Sequence, residues 1–172
     1  FSLADFFILA ALSLLIYGLL GVAQEWTGPY RPKTEIDLAF PSLLKYAFLS
    51  FVRVCAAYLL SLAFTLTYGY LAAKSKRAEP LLISILDILQ SVPVLSFMPG
   101  LVLALVNFFP SSNLGLELAT ILMVFTCEGW NMVFSFYSSV KAVPQELKDV
   151  SRIFHLNRWE NFRNIELPFS MN

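Results

Sequence analysis

Three stretches of this chain run about as far without a charge as a bilayer core is thick, or farther. Nineteen residues separate Asp5 from Glu25, twenty separate Arg53 from Lys74, and twenty-nine separate Asp87 from Glu117. A helix of about 20 apolar residues crosses the hydrocarbon layer. At least three runs are therefore long enough to span it. Composition agrees: 58% of the 172 residues are hydrophobic and the mean hydropathy is +0.68, rare for a soluble domain of this length. The net charge is zero, so no global basic field points to nucleic acid. Cys55 and Cys127 both lie in apolar runs and read as small buried hydrophobes. A single His leaves no Cys/His metal cluster, and neither metal nor cofactor is expected.

Along the chain the expected order is all-α. Span one covers about 3–24. A polar connector follows, punctuated by Gly28, Pro29, Pro32 and Pro41, with Trp26 and Tyr30 suited to a headgroup-level belt. Span two covers about 45–73 and ends in the basic loop "KSKRAEP". Span three, about 80–108, is expected to be interrupted at "SVP". Pro93 and Pro99 each remove a backbone donor, and such breaks survive in a membrane where protein or a water-filled cavity surrounds them. Span four covers about 115–140. The 45–140 segment forms the core, span one is accessory, and a charged tail occupies 141–168.

Lys and Arg set the orientation. Loop 74–79 carries Lys74, Lys76 and Arg77, and the tail carries Lys141, Lys148, Arg152, Arg158 and Arg163: eight of the twelve basic residues. The opposite side has Arg31, Lys33 and Lys45. The tail is thus expected in the cytoplasm. Within it, Pro144 fits a first helical position. Leu147, Val150, Ser151 and Phe154 recur at helical spacing as one small or apolar face. His155-Leu156-Asn157 reads as a turn, Asn157 caps a second helix with Glu160 three residues on, and Pro168 closes the unit. From physics alone this is a helix–turn–helix that lies either on lipid headgroups or in a partner's groove.

The stretch "PQELKDVSRIFHLNRWENFRNIELP" resembles the EAA loop of permease subunits of binding-protein-dependent ABC importers. Pro144, Glu146, Leu147, Arg152, Trp159, Phe162, Leu167 and Pro168 match that pattern in residue and spacing. Asp149-Val150-Ser151 stands where Glu-Ala-Ala is usual, and His155 where Gly is usual. Gly takes a left-handed turn at low cost, His less readily, and nearby Asn157 is a residue that tolerates it. "QSVPVLSFMPGLVLAL" and "GWNMVFSFYSSVKAVPQEL" resemble the nitrate, sulfonate and taurine branch, particularly its larger permeases with two fused halves. The similarity covers about residues 45–172.

That resemblance implies a polytopic transmembrane helical bundle of the ABC permease core. The family core has five or six spans, so about four are expected here, with one or two missing after Pro168. It implies a bacterial inner-membrane subunit, not itself an enzyme, that moves a small solute by alternating access. Its partners would be a cytoplasmic ATPase dimer, a second permease half (homodimeric or fused), and an extracytoplasmic solute-binding protein. Glu146, Leu147, Asp149, Val150, Ser151, Arg152 and His155 would form the docking element for the ATPase. The chain has no Walker motif, so ATP hydrolysis would lie in the partner. Ser91, Val92 and Pro93 are candidates for the translocation path or else a packed kink. Arg53 and Glu128 either line that path or pair structurally between helices, and Asp87 reads as structural. The rival class is a secondary transporter or channel using Glu128 and Asp87 as an ion relay.

Overall fold

A computed structural model describes residues 3–28 and 36–170. The connector residues Pro29, Tyr30, Arg31, Pro32 and Lys33 lie outside the described residues. The described secondary structure is entirely helical: α1 (Leu3–Thr27), α2 (Phe40–Phe64), α3 (Tyr70–Lys74), α4 (Glu79–Ser91), α5 (Val94–Phe108), α6 (Leu114–Lys141), α7 (Gln145–Ile153), α8 (Arg158–Asn161) and α9 (Leu167–Ser170). A π-helical turn, Thr65–Gly69, joins α2 to α3, so one continuous helix runs Phe40–Lys74. A second π turn, Phe162–Glu166, joins α8 to α9.

Among the described residues, three helices are long and apolar enough to cross a membrane: Asp5–Thr27, Phe40–Lys74 and Leu114–Lys141. α4 and α5 make a fourth if read as one broken span, bent by 89° at the break. The break falls where Pro93 predicts it. Pro93 pushes Val92 to an extended ψ of 115°, and the helix restarts with Ser96 N–H donating to Pro93 O at 2.9 Å. Pro99 does not break the chain as expected; it sits inside α5 as its sixth residue. So close to the helix start, its missing N–H deprives only the Leu95 carbonyl.

Span two begins five residues earlier than expected, at Phe40. Asp37 fastens its start: Ala39 N–H donates to Oδ1 at 2.9 Å and Ser42 Oγ donates to Oδ2 at 2.5 Å. Pro41 belongs to the helix, in the first turn, where a missing N–H costs nothing. The Ser42 hydroxyl, and then the Ala39 amide, hold the Asp37 carboxyl below its ordinary pKa.

Two compact units are present, one of residues up to Val54 with Phe97–Leu122, the other of Cys55–Ser96 with the chain from Met123. In the first, Val22, Ala119 and Ile121 are buried. Asn113 closes α1: its N–H donates to Gly28 O at 3.1 Å and its Nδ2 to Glu25 O at 3.3 Å. Gly115 lies so close to α5 that a Cβ would meet Leu105 O at 2.6 Å. Arg53 and Glu117 form a two-pronged ion pair, with Nη2 to Oε1 at 2.6 Å and Nε to Oε2 as the second contact.

In the second unit, Ala57, Ser61, Thr65 and Gly69 recur every four residues and are all buried. Lipid tails are as apolar as side chains, so helices in a membrane associate through close packing, and small residues permit it. A Cβ on Gly69 would meet the Phe136 ring at 3.0 Å. Phe64 adds edge-on contacts to Phe125 (5.5 Å) and Trp130 (5.9 Å). Tyr137 Oη and Lys141 Nζ both donate to Glu79, at 2.5 and 2.6 Å, pinning the start of α4 to the end of α6. Many large apolar side chains face outward, among them Phe6, Phe7, Leu14, Tyr17, Phe51 and Leu59, as a lipid solvent allows. Cys127 is also exposed rather than buried, because it points off the packed side of α6.

Candidate functional site

After α6 the chain turns at buried Val143 and forms a helical hairpin. Pro144 stands one position before the first helical residue, with ψ 153°, and so acts as the N-cap of α7 rather than its first residue. Gln145 Nε2 and Arg152 Nη1 both donate to Asp149 Oδ1, at 3.1 and 3.2 Å, along the exposed side of α7. The Arg152–Asp149 pair is solvated and adds little stability.

The turn is closed by a Schellman motif. Leu156 N–H donates to Ser151 O at 3.0 Å and His155 N–H to Arg152 O at 3.1 Å. His155 is the left-handed residue, at φ 49°, while Asn157 is extended at φ −70°, ψ 171°. Asn157 is therefore not the source of the left-handed turn: it stands three positions past the C-cap, where the chain is already entering the next helix. It caps α8 as expected, in a reciprocal box. Glu160 N–H donates to Asn157 Oδ1 at 2.9 Å, and Asn157 N–H donates to Glu160 Oε2 at 2.8 Å.

Pro168 does not close the unit as expected; it lies inside α9. The π turn ahead of it makes this possible. Leu167 N–H bonds five residues back, to Phe162 O, so the preceding carbonyls are shifted out of the register in which the Pro168 ring would clash.

The expected apolar face of α7 splits in two. Leu147 and Ser151 are half-buried. Val150, Ile153 and Phe154 point outward, the last two at 72% and 71% exposure, with exposed Glu146 one turn before Val150. The sequence pattern passed over Ile153. Asp149, Arg152 and His155 are exposed beside this apolar tip.

The second limb of the hairpin is clasped to the end of span two. Glu166 is buried, and its Oε1 accepts from both Lys74 Nζ and Asn161 Nδ2. The Tyr70 and Phe162 rings meet edge-on at 4.9 Å alongside. Lys74 and Glu166 are 92 residues apart, so no local spacing could have paired them. The same holds for Arg53 and Glu117, 64 apart.

Of the candidate path residues, Ser91, Val92 and Pro93 are together and exposed at the α4–α5 break, with Ser91 Oγ donating to Ile88 O at 2.7 Å. Arg53 is engaged by Glu117. Glu128 lies mid-way along α6, half-buried, with Oε2 enclosed and unpaired among the described residues. Asp87 is exposed and accepts from Gln90 Nε2 at 3.2 Å.

Residues 65–172, from the first π turn through the whole hairpin, match the family model described as "binding-protein-dependent transport system inner membrane component". The chain belongs to that family. It is 27% identical over 121 residues to the nitrate import permease protein NrtB of Synechocystis sp., covering 70% of this chain and 41% of that protein. It is 29% identical over 120 residues to the trimethylamine N-oxide transport system permease protein TmoV of Pelagibacter ubique, covering 70% of this chain and 15% of that protein. The chain thus spans less than half the length of the curated relatives it matches. No solved structure matches it. This is a multi-pass, all-α chain of a permease family. α1 lies outside the matched region.

Proposed function

We propose that this chain is the membrane permease part of an ATP-driven importer, and that α7 docks on a cytoplasmic ATPase. One observation carries the reading: a stiffly turned hairpin, inside the family match, presents Val150, Ile153 and Phe154 unpartnered next to Glu146, Asp149 and Arg152. An apolar tip ringed by charge is the chemistry of a helix that seats in a groove. Leu147, Ser151 and the His155 turn hold it in its angle. In this reading the parent works with an ATPase dimer, a second permease half and an external solute-binding protein in a bacterial inner membrane, with the tail in the cytoplasm. Solute passes by alternating access near the Ser91–Pro93 break, where freed backbone groups line a cavity. Arg53 serves as half of a structural pair with Glu117, and Glu128 supplies a polar group to the path.

The solute class favoured is a small oxyanion of the nitrate type, supported by the likeness to NrtB. The TmoV likeness makes a small zwitterion the competitor. The test is ATP-dependent uptake by the parent protein in proteoliposomes with its ATPase and binding protein. Ile153→Asp with Phe154→Asp should abolish uptake and ATPase co-purification while the permease stays folded. Uptake that persists in that variant, or in one with Glu146→Arg and Asp149→Arg, would refute the docking role. Labelled nitrate and trimethylamine N-oxide compared as cargo decide the solute class.

A further inference from the structure

A cleft of about 1170 Å³ opens between the end of span two and the second limb of the hairpin. Its wall is apolar and aromatic: Leu66, Tyr70, Leu71 and Trp159. Among the described residues, two cations, Lys74 and Arg158, line it, and no carboxylate does. The charge on Lys74 is matched by Glu166. Arg158 has no ion-pair partner among the described residues, so one positive charge in the lining is left over.

The depth of the cleft follows from the helix. The twenty uncharged residues between Arg53 and Lys74 rise about 30 Å, the thickness of the hydrocarbon layer. Lys74 then lies at the headgroup boundary, and Leu71 and Leu66 lie roughly 5 and 12 Å deeper. Tyr70 and Trp159 have the amphipathic rings that favour this boundary. Cation above and apolar wall below match an amphiphile carrying one negative charge.

We propose that this cleft binds an anionic phospholipid, phosphate on Arg158 and acyl chain along Leu66 and Leu71. Free phosphate would use Arg158 but leave the apolar wall without an occupant. The proposal needs span two to cross the bilayer and does not depend on the docking role of α7. Bound there, the lipid bridges span two and the hairpin beside the Lys74–Glu166 clasp.

The test places the full permease in phosphatidylcholine nanodiscs doped with brominated phosphatidylglycerol or brominated phosphatidylcholine. It reads the quenching of Trp159 as the difference from Trp159→Phe. Brominated phosphatidylglycerol should quench at a mole fraction about five-fold lower, the worth of one interfacial cation. Arg158→Gln should erase that preference and Arg158→Lys retain it, which separates charge from folding. Equal quenching by the two lipids means unselective boundary lipid and overturns the proposal. No quenching by either means that protein fills the cleft, and overturns it too. Loss of the preference on adding inorganic phosphate, with quenching by both lipids otherwise unchanged, means a free-anion site and also refutes it.

Discussion

Replacing Lys74 should loosen the hairpin more than replacing Glu166, although both changes break the same pair. The reason is which charge is stranded. The Glu166 side chain is 5% exposed and that of Lys74 is 42% exposed. Removing one partner of a buried pair costs about 3–5 kcal/mol when the survivor stays enclosed. After Lys74→Met the survivor is Glu166, whose Oε2 has no hydrogen-bond partner among the described residues and whose Oε1 keeps Asn161. We expect a cost of about 3 kcal/mol, at the low end because the pair is open on the lysine side. After Glu166→Gln the survivor is Lys74, which takes up water, and the new amide still accepts from Asn161. That loss resembles a surface pair, about 1 kcal/mol. The difference of about 2 kcal/mol is roughly 30-fold in the local opening equilibrium. Hydrogen exchange of residues 158–170 in the intact permease reads it directly. The double variant strands neither charge and should exchange close to the rate of Glu166→Gln alone. Equal acceleration in the two single variants, or a larger effect from Glu166→Gln, would refute the argument.

The left-handed turn gives a second expectation. His155→Gly should stabilise the permease by up to about 1 kcal/mol of turn strain removed and so raise its thermal midpoint, whereas His155→Val should lower it. Gly115→Ala should destabilise by about 1–3 kcal/mol, because the added Cβ meets the backbone atoms Leu105 O and Val106 Cα at 2.6 and 2.8 Å, and neither can swing aside; thermal unfolding in detergent measures it. Asp37 has a depressed folded-state pKa, so its fastening of α2 is complete above the ordinary carboxylate range and fades as pH falls through the folded value. Protection of the amides in 38–43, corrected for the intrinsic exchange rate at each pH, should fall on acidification, and Asp37→Asn should remove that pH dependence.

The long helices were legible because hydrocarbon imposes one demand on every residue of a span, and a run without charge meets it. The Asn157–Glu160 box was legible for a similar reason: donor and acceptor lie three residues apart. What escaped was register and distance. His155 rather than Asn157 carries the positive φ, and only the hydrogen bonds of the C-cap decide between two residues that both tolerate it. Pro41, Pro99 and Pro168 each read as breaks or stops, yet each sits in a helix. For Pro41 the first helical turn has spare donors, for Pro99 only the Leu95 carbonyl loses its bond, and for Pro168 a π turn shifts the carbonyls. The Lys74–Glu166, Arg53–Glu117 and Tyr137–Glu79 contacts join residues 58 to 92 positions apart, and local periodicity is silent about them.

If α7 docks as proposed, the hairpin must act as a stiff arm on joints that give. Between the last residue of α7 and the N-cap of α8 the chain spends only Phe154, His155 and Leu156, and the amide donors of all three are bonded back into α7. The capping box then fixes the start of α8. A force on Val150 and Phe154 would therefore rotate the hairpin rather than bend its turn. It would leave by two routes: along the Ala142–Pro144 link into α6, and through Glu166 into Lys74. Glu166 ends the π turn Phe162–Glu166, and the π turn Thr65–Gly69 ends five residues before Lys74. A π turn carries an extra residue, and its hydrogen bonds are easier to re-register than those of an α-helix. The clasp is thus a fixed contact between two compliant turns, and motion of the arm would be taken up as a register shift in the helices on either side of it. In the docking role proposed for α7, the Lys74–Glu166 clasp is the direct link by which span two would feel the arm.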